Sequence, residues 1–99
     1  MIRVMLVDDQ TLVRQGVRSL LALADGIAVV AEASDGRQAV EQVPTVRPDV
    51  LLMDMRMPVM SGLDALRALS AAGALPPTII LTTFDDDQLV LAGIKAGAK

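Results

Sequence analysis

Four short apolar runs alternate along the chain with four segments in which apolar residues recur every three to four positions. Apolar runs without interruption are typical of strands buried on both faces of a parallel sheet, and the alternating helices would cover those faces. This pattern predicts an α/β fold. The predicted strands cover residues 2–7, 27–33, 50–53 and 78–83.

The helical segments carry start and stop signals. The second and third open on capping-box patterns, Asp35 followed by Gln38 and Ser61 followed by Asp64. The motif "ADG" at residues 24–26 ends the first helix. The predicted helices begin near residues 10, 34, 61 and 85, and the second is expected to be short, over 34–43. The apolar pattern of the first consists of Leu12, Val13, Gly16, Val17, Leu20 and Leu21.

Composition restricts the chemistry of the chain. Ninety-nine residues suit one small domain, and a net charge of −3 gives no support to nucleic-acid binding by this segment. The absence of Cys and His excludes disulfides, thiolate or imidazole metal sites and histidine acid–base catalysis. No stretch of about 18 residues is free of charge, so no membrane span is expected. We predict a cytoplasmic globular domain over residues 1–99, with chemistry based on carboxylates, hydroxyls and basic groups.

Polar residues lie at the carboxyl ends of three predicted strands. Asp8 and Asp9 follow the first, Asp54 follows the third, and Thr82 and Thr83 end the fourth. In open α/β sheets, ligands bind outside the carboxyl ends of the strands. Two carboxylates about 4 Å apart repel by about 4 kcal/mol at an effective dielectric of about 20, so either one carboxyl stays protonated or a cation sits among them. Oxygen-only ligands suit Mg²⁺ or Mn²⁺, and the pattern therefore predicts a Mg²⁺-dependent aspartate that accepts a phosphoryl group.

Helix capping is the competing interpretation of these aspartates. Asp35 and Asp85 fit it well, and for Asp9 it stays open, because the first helix begins near Gln10. Asp54 does not fit it. The third helix is better capped by Ser61, and Asp54 lies well before that residue.

The motifs "VDD", "PDVLLMDMRMPVMSG" and "ILTT" resemble, in order and spacing, those of response-regulator receiver domains of two-component systems. The resemblance covers essentially the whole chain. The segments "DDQTLVRQGVRSLL", "EASDGRQAVE" and "LTTFDDDQLVLAGIKAGAK" further resemble the subfamily whose receivers precede a LuxR-type helix-turn-helix domain. The implied fold is a flavodoxin-like three-layer sandwich with strand order 2-1-3-4-5.

The resemblance also implies roles for single residues. Asp54 would be the phosphoacceptor, receiving the phosphoryl group from a phosphohistidine of a sensor histidine kinase. Asp9 would bind Mg²⁺ directly and Asp8 mainly through water, and Asp54 and the backbone carbonyl of Arg56 would complete the protein ligands. Thr82 would be the switch hydroxyl that moves to the phosphoryl group.

One departure from the family is large. Receivers have a fifth strand that ends in a lysine, followed by a final helix, whereas this sequence stops at Lys99, where that strand should begin. We therefore expect a truncated receiver with strand order 2-1-3-4, derived from a longer regulator. Its helix-turn-helix output domain, absent here, would be the part that binds DNA, and the receiver could form a homodimer.

Three alternatives come from other functional classes. A haloacid-dehalogenase-like phosphotransferase would need a second Asp two residues after the nucleophile, where Arg56 stands. A nucleotide- or flavin-binding module would need a Gly-rich loop after the first strand. A receiver-like interaction domain that works without phosphorylation stays open, because the lysine is missing. The favoured hypothesis is a phosphorylation switch that is not an enzyme beyond its own phosphoryl transfer and dephosphorylation.

Overall fold

The computed structural model describes residues 1–55 and 57–81, together with residues 95 and 97. The predicted alternation of strands and helices is confirmed across these residues. Most of the predicted fourth helix and the end of the fourth strand, including Thr82 and Thr83, lie outside them. The elements are β1 (Ile2–Val7), α1 (Thr11–Ala22), β2 (Ile27–Ala33), α2 (Gly36–Val46), β3 (Val50–Asp54), α3 (Gly62–Ala71) and β4 (Thr78–Leu81).

The four strands form one parallel sheet in the order β2-β1-β3-β4, which confirms the predicted order 2-1-3-4. Strand β1 lies between β2 and β3. Its last residue, Val7, is in register with Ala33 on one side and Met53 on the other. Because neighbouring strands are about 4.8 Å apart, the residues that follow β1 and end β3 emerge side by side.

Alternating side chains divide the core between the two faces of the sheet. Met5 and Val7 of β1 point to the face covered by α2 and α3, whereas Val4 and Leu6 point to the face covered by α1. This two-sided burial explains why the strands are apolar without alternation. The larger cluster contains Met5, Val7, Ala33, Ala39, Val43, Leu51, Met53, Met55, Ala65, Leu66 and Leu69.

Helix α1 is only partly covered. Val17 and Leu21 pack against the sheet, and no residue of this helix is fully buried. Leu12 and Leu20 are 82% and 69% exposed. The apolar pattern correctly predicted a helix, but it extends over more of the helix surface than the sheet contacts. None of the described helices has the length and hydropathy needed to cross a membrane.

The start of α2 follows its predicted cap. The Asp35 side chain accepts a hydrogen bond from the backbone N–H of Gln38 at 2.8 Å. The Gln38 side chain in turn accepts one from the backbone N–H of Ser34 at 2.9 Å. The predicted capping of α2 by Asp35 is thus confirmed.

The end of α2 lies beyond the expected limit of residue 43. A proline usually ends or kinks a helix, but α2 passes through Pro44 and continues to Val46. Arg3 of β1 supports the end of the longer helix. Its guanidinium donates to the carbonyls of Val46 and Arg47 at 2.8 Å each, which satisfies acceptors at the helix end that otherwise have no intrahelical partner.

Candidate functional site

Asp8 is held by hydrogen bonds to both its backbone and its side chain. Its N–H donates to the carbonyl of Ala33 at 3.1 Å, which extends the contact between β1 and β2 by one residue. Its carbonyl accepts from Arg14 Nη1 at 2.5 Å, and its Oδ1 accepts from the N–H of Gln10 at 2.8 Å. The side chain is buried, at 6% exposure. Asp8 therefore has a fixed position at the carboxyl end of the sheet.

Three carboxylates meet at this edge. Asp8, Asp9 and Asp54 each place one carboxylate oxygen within 4.8 Å of the others. Exposure increases from buried Asp8 through half-buried Asp54 to exposed Asp9. The meeting follows from the sheet order, because β1 and β3 are adjacent and parallel. The structure thus brings together three of the predicted site residues, and the other two, Arg56 and Thr82, lie outside the described residues.

The electrostatics of the cluster favour a bound cation. Burial raises the pKa of the Asp8 carboxyl above its ordinary value, and the negative charge of Asp9 raises it further. The N–H of Gln10 and the guanidinium of Arg14 oppose these effects without cancelling them. Oxygen-only donors from three carboxylates, one of them open to water, fit the coordination of Mg²⁺ or Mn²⁺. The residues present therefore suit the metal that the sequence predicted.

The capping interpretation of Asp9 fails. The residue in the N-cap position of α1 is Gln10, and its side chain makes no capping hydrogen bond. Asp9 precedes that position and is exposed, with its carboxylate in the acidic cluster. The helix start thus leaves Asp9 beside the other two aspartates.

The loop after β3 is held at both ends by close backbone packing. The N–H of Gly62 donates to the carbonyl of Met55 at 3.0 Å, and the N–H of Gly36 donates to the carbonyl of Met60 at 2.9 Å. A Cβ atom on Gly62 would overlap the backbone oxygen of Asp54. Only glycine fits there, so α3 begins directly against the strand end that carries Asp54.

The start of α3 agrees with its predicted cap. The Ser61 hydroxyl accepts a hydrogen bond from the N–H of Asp64 at 3.1 Å. In the loop before it, Val59 is 76% exposed and has a φ of 67°, a conformation that is strained for a β-branched residue. Strain of this kind is common in loops beside functional sites.

Two features of the site were missed in the sequence. Gly36 lies within the predicted helix over 34–43, and nothing in the sequence indicates its contact with the loop after β3. Arg14 was not singled out, although it donates to Asp8 and forms an ion pair with Glu32. The available signal was Glu32 itself, a lone charge within the otherwise apolar run "IAVVAEA", because such a charge usually needs a partner.

The raised pKa of Asp8 leads to a testable pH dependence. A carboxyl whose pKa is higher in the folded than in the unfolded state opposes folding once it is ionised. We expect Asp8→Asn to raise the thermal midpoint at pH 7 in metal-free buffer, since Asn can still accept from the N–H of Gln10. The gain should shrink as the pH falls toward 3, where Asp8 is protonated in both states. Thermal melts followed by far-UV circular dichroism across this range test the expectation.

Added Mg²⁺ should reverse this difference in stability, so that the parent chain becomes more stable than Asp8→Asn. A ligand that binds only the folded state raises its stability, and Asp8→Asn removes one carboxylate from the cluster. The parent chain should therefore gain more from added Mg²⁺ than the variant does. A parent that is more stable than Asp8→Asn at pH 7 without metal would contradict the burial argument.

Comparison with known proteins agrees with the geometry. Residues 4–99 match the response regulator receiver domain family. The chain is 49% identical over 96 residues to the nitrate/nitrite response regulator protein NarP of Escherichia coli, covering 97% of this chain and 45% of NarP. It is 42% identical over 98 residues to the transcriptional regulatory protein LiaR of Bacillus subtilis, covering 99% of this chain and 46% of LiaR. The chain thus spans less than half the length of these curated relatives.

A solved structure gives the same result. The signal receiver domain of the putative response regulator NarL from Mycobacterium tuberculosis superposes with a TM-score of 0.90 at 34% identity, covering 98% of this chain and 78% of that domain. This likeness confirms the flavodoxin-like receiver fold expected from the sequence. The chain belongs to the response regulator receiver domain family.

Proposed function

We propose that this receiver domain accepts a phosphoryl group on the carboxylate of Asp54 in the presence of Mg²⁺. The observation that carries the proposal is the meeting of Asp8, Asp9 and Asp54 within 4.8 Å at the carboxyl edge of the sheet. The metal would be held by these three residues and, as the family resemblance implies, by the carbonyl of Arg56. Bound Mg²⁺ would offset the negative charge that develops on the transferred oxygens.

The chemistry requires one nucleophile and one leaving group. A carboxylate oxygen of Asp54 forms the new bond to phosphorus while the bond from phosphorus to the donor breaks, and the donor leaves with the electron pair. In a sensor histidine kinase the leaving group would be an imidazole nitrogen; in acetyl phosphate it is acetate. Asp54 suits the nucleophilic role because it ends a strand whose preceding residues, Leu51, Leu52 and Met53, are buried in the core.

The remaining roles follow from the family. NarP is named a response regulator and LiaR a transcriptional regulatory protein. We infer that this receiver controls an output domain of the helix-turn-helix type in a longer chain, and that DNA is bound by that domain alone. Thr82 would act as the switch hydroxyl that contacts the phosphoryl group. An added phosphoryl group carries a charge of about −1.5 to −2, enough to bias a two-state surface.

The proposal is tested by incubating the chain with Mg²⁺ and acetyl phosphate and measuring its intact mass. We expect a gain of one phosphoryl group that requires the metal and is lost when EDTA is added before the donor. A full-length regulator that gains no phosphoryl group under these conditions would favour the alternative, an interaction domain that works without phosphorylation.

A further inference from the structure

Arg14 presents an unusual arrangement for a cation beside an acidic cluster. A guanidinium next to carboxylates normally pairs with one of them through charge-assisted hydrogen bonds. Here its Nη1 donates instead to the backbone carbonyl of Asp8, and its Nε lies 3.4 Å from Oε1 of Glu32. Within the described part of the chain, Arg14 forms no ion pair with the carboxylate of Asp8 or Asp9.

Glu32 is the acidic partner of Arg14. It stands in β2 in register with Leu6 of β1. One of its oxygens faces Arg14, and the other accepts from Nη1 of Arg18 at 2.9 Å. The side chains of Arg14 and Glu32 are 16% and 28% exposed, so solvent screens this pair less than the contact to Arg18, which is 61% exposed.

We propose that Glu32 is a positioning residue that holds Arg14 on the backbone of Asp8 and away from the carboxylates of Asp8 and Asp9, so that the oxygens of these two side chains stay available to Mg²⁺. The inference rests on the proposed function, since it concerns the affinity of the same cation site. The guanidinium anchors the loop after β1 and, through its pairing with Glu32, does not compete with the metal. Residues that contact a metal's ligand residues, as Arg14 contacts Asp8, commonly change metal affinity by about 10- to 100-fold, and Glu32 would act through Arg14.

The decisive variant is Glu32→Gln, which keeps the shape of the side chain and removes its charge. Arg14 then loses its counter-charge and turns to the nearby carboxylates. We expect the dissociation constant for Mg²⁺ to rise by about tenfold, measured by isothermal titration calorimetry on the chain. This readout is a binding affinity and needs no phosphoryl donor.

A double-mutant cycle separates positioning from a general charge effect. In Arg14→Met the competing guanidinium is gone, so adding Glu32→Gln should change the Mg²⁺ affinity by less than about twofold. If the loss came only from removing a negative charge, Glu32→Gln would weaken binding equally in both backgrounds. Equal weakening would overturn the positioning role.

Two matched controls are available on the surface. Glu41→Gln makes the same change in charge in the exposed ion pair with Arg37 on α2. Arg18→Met removes the other partner of Glu32 and leaves its contact with Arg14 in place. Both should bind Mg²⁺ like the parent chain, and a tenfold loss in either would overturn the inference.

A second variant, Arg14→Lys, tests the inference without relying on whether Glu32→Gln folds. Arg14→Lys conserves charge and helix propensity, but an ammonium lacks the planar fork that reaches the Asp8 carbonyl and Glu32 together. It should turn to the carboxylates and weaken Mg²⁺ binding several-fold, with far-UV circular dichroism showing an intact fold. If Arg14→Lys or Glu32→Gln binds Mg²⁺ as tightly as the parent chain, the inference is overturned and the proposed function is not affected. A parent that binds no Mg²⁺ would overturn the proposed function as well.

Discussion

Replacing Asp54 with Asn should abolish phosphoryl incorporation from acetyl phosphate, reducing it at least about a hundredfold and to the detection limit of intact-mass measurement. The amide has nearly the shape of the carboxylate, so β3 and the core beneath it should be unchanged. It lacks the anionic oxygen that forms the bond to phosphorus, and no other residue at the end of β3 supplies one. The mass should be followed over time, with Mg²⁺ and donor in excess.

The matched control for that experiment is Asp64→Asn. Asp64 lies exposed in the first turn of α3, and its carboxylate is not part of the acidic cluster. The variant makes the same change in charge and should incorporate phosphoryl at the parent rate. Full incorporation in Asp54→Asn would show that another group, with Asp9 the first candidate, is the acceptor, and the proposed role of Asp54 would then be wrong.

The strands could be predicted from the sequence because their signal is local. Residues 2–7 and 27–33 form β1 and β2 with the predicted limits, since burial on both faces requires apolar residues at successive positions. The end of α2 could not be predicted in this way. The guanidinium of Arg3, which comes from a distant part of the chain, supports the turn that follows Pro44. Contacts between elements thus override the local signal at helix ends.

The candidate site could likewise be predicted from the sequence only in part. Asp54 stood out because a charge at the end of a buried run has no local capping role, and the structure places it beside Asp8 and Asp9. Its neighbours depend on the order of the strands, which hydrophobic periodicity does not contain and which came from the family resemblance. The pairing of Arg14 with Glu32 was missed because the lone charge in the apolar run of β2 indicates a need for a partner but does not show which basic residue lies opposite it.

Gly62→Ala should lower the free energy of unfolding by about 3 kcal/mol, at the upper end of what overpacking usually costs. The new methyl group would overlap the backbone oxygen of Asp54 and lie 2.9 Å from the Cα of Met55. Backbone atoms cannot rotate away as a side chain can, so the start of α3 and the end of β3 must separate. Because the chain has no Trp or Tyr, urea unfolding should be followed by far-UV circular dichroism.

Gly16→Ala is the control that isolates this clash. Gly16 lies inside α1, and among the described residues a Cβ atom there would meet no atom within 4 Å outside the adjoining backbone of its own helix. Alanine should raise the free energy of unfolding by roughly 0.5–1 kcal/mol, because it loses less backbone entropy in a helix. The same substitution thus has opposite signs at the two glycines. Equal stability of the parent and Gly62→Ala would mean that α3 does not begin against β3, and the described support for Asp54 would then be wrong.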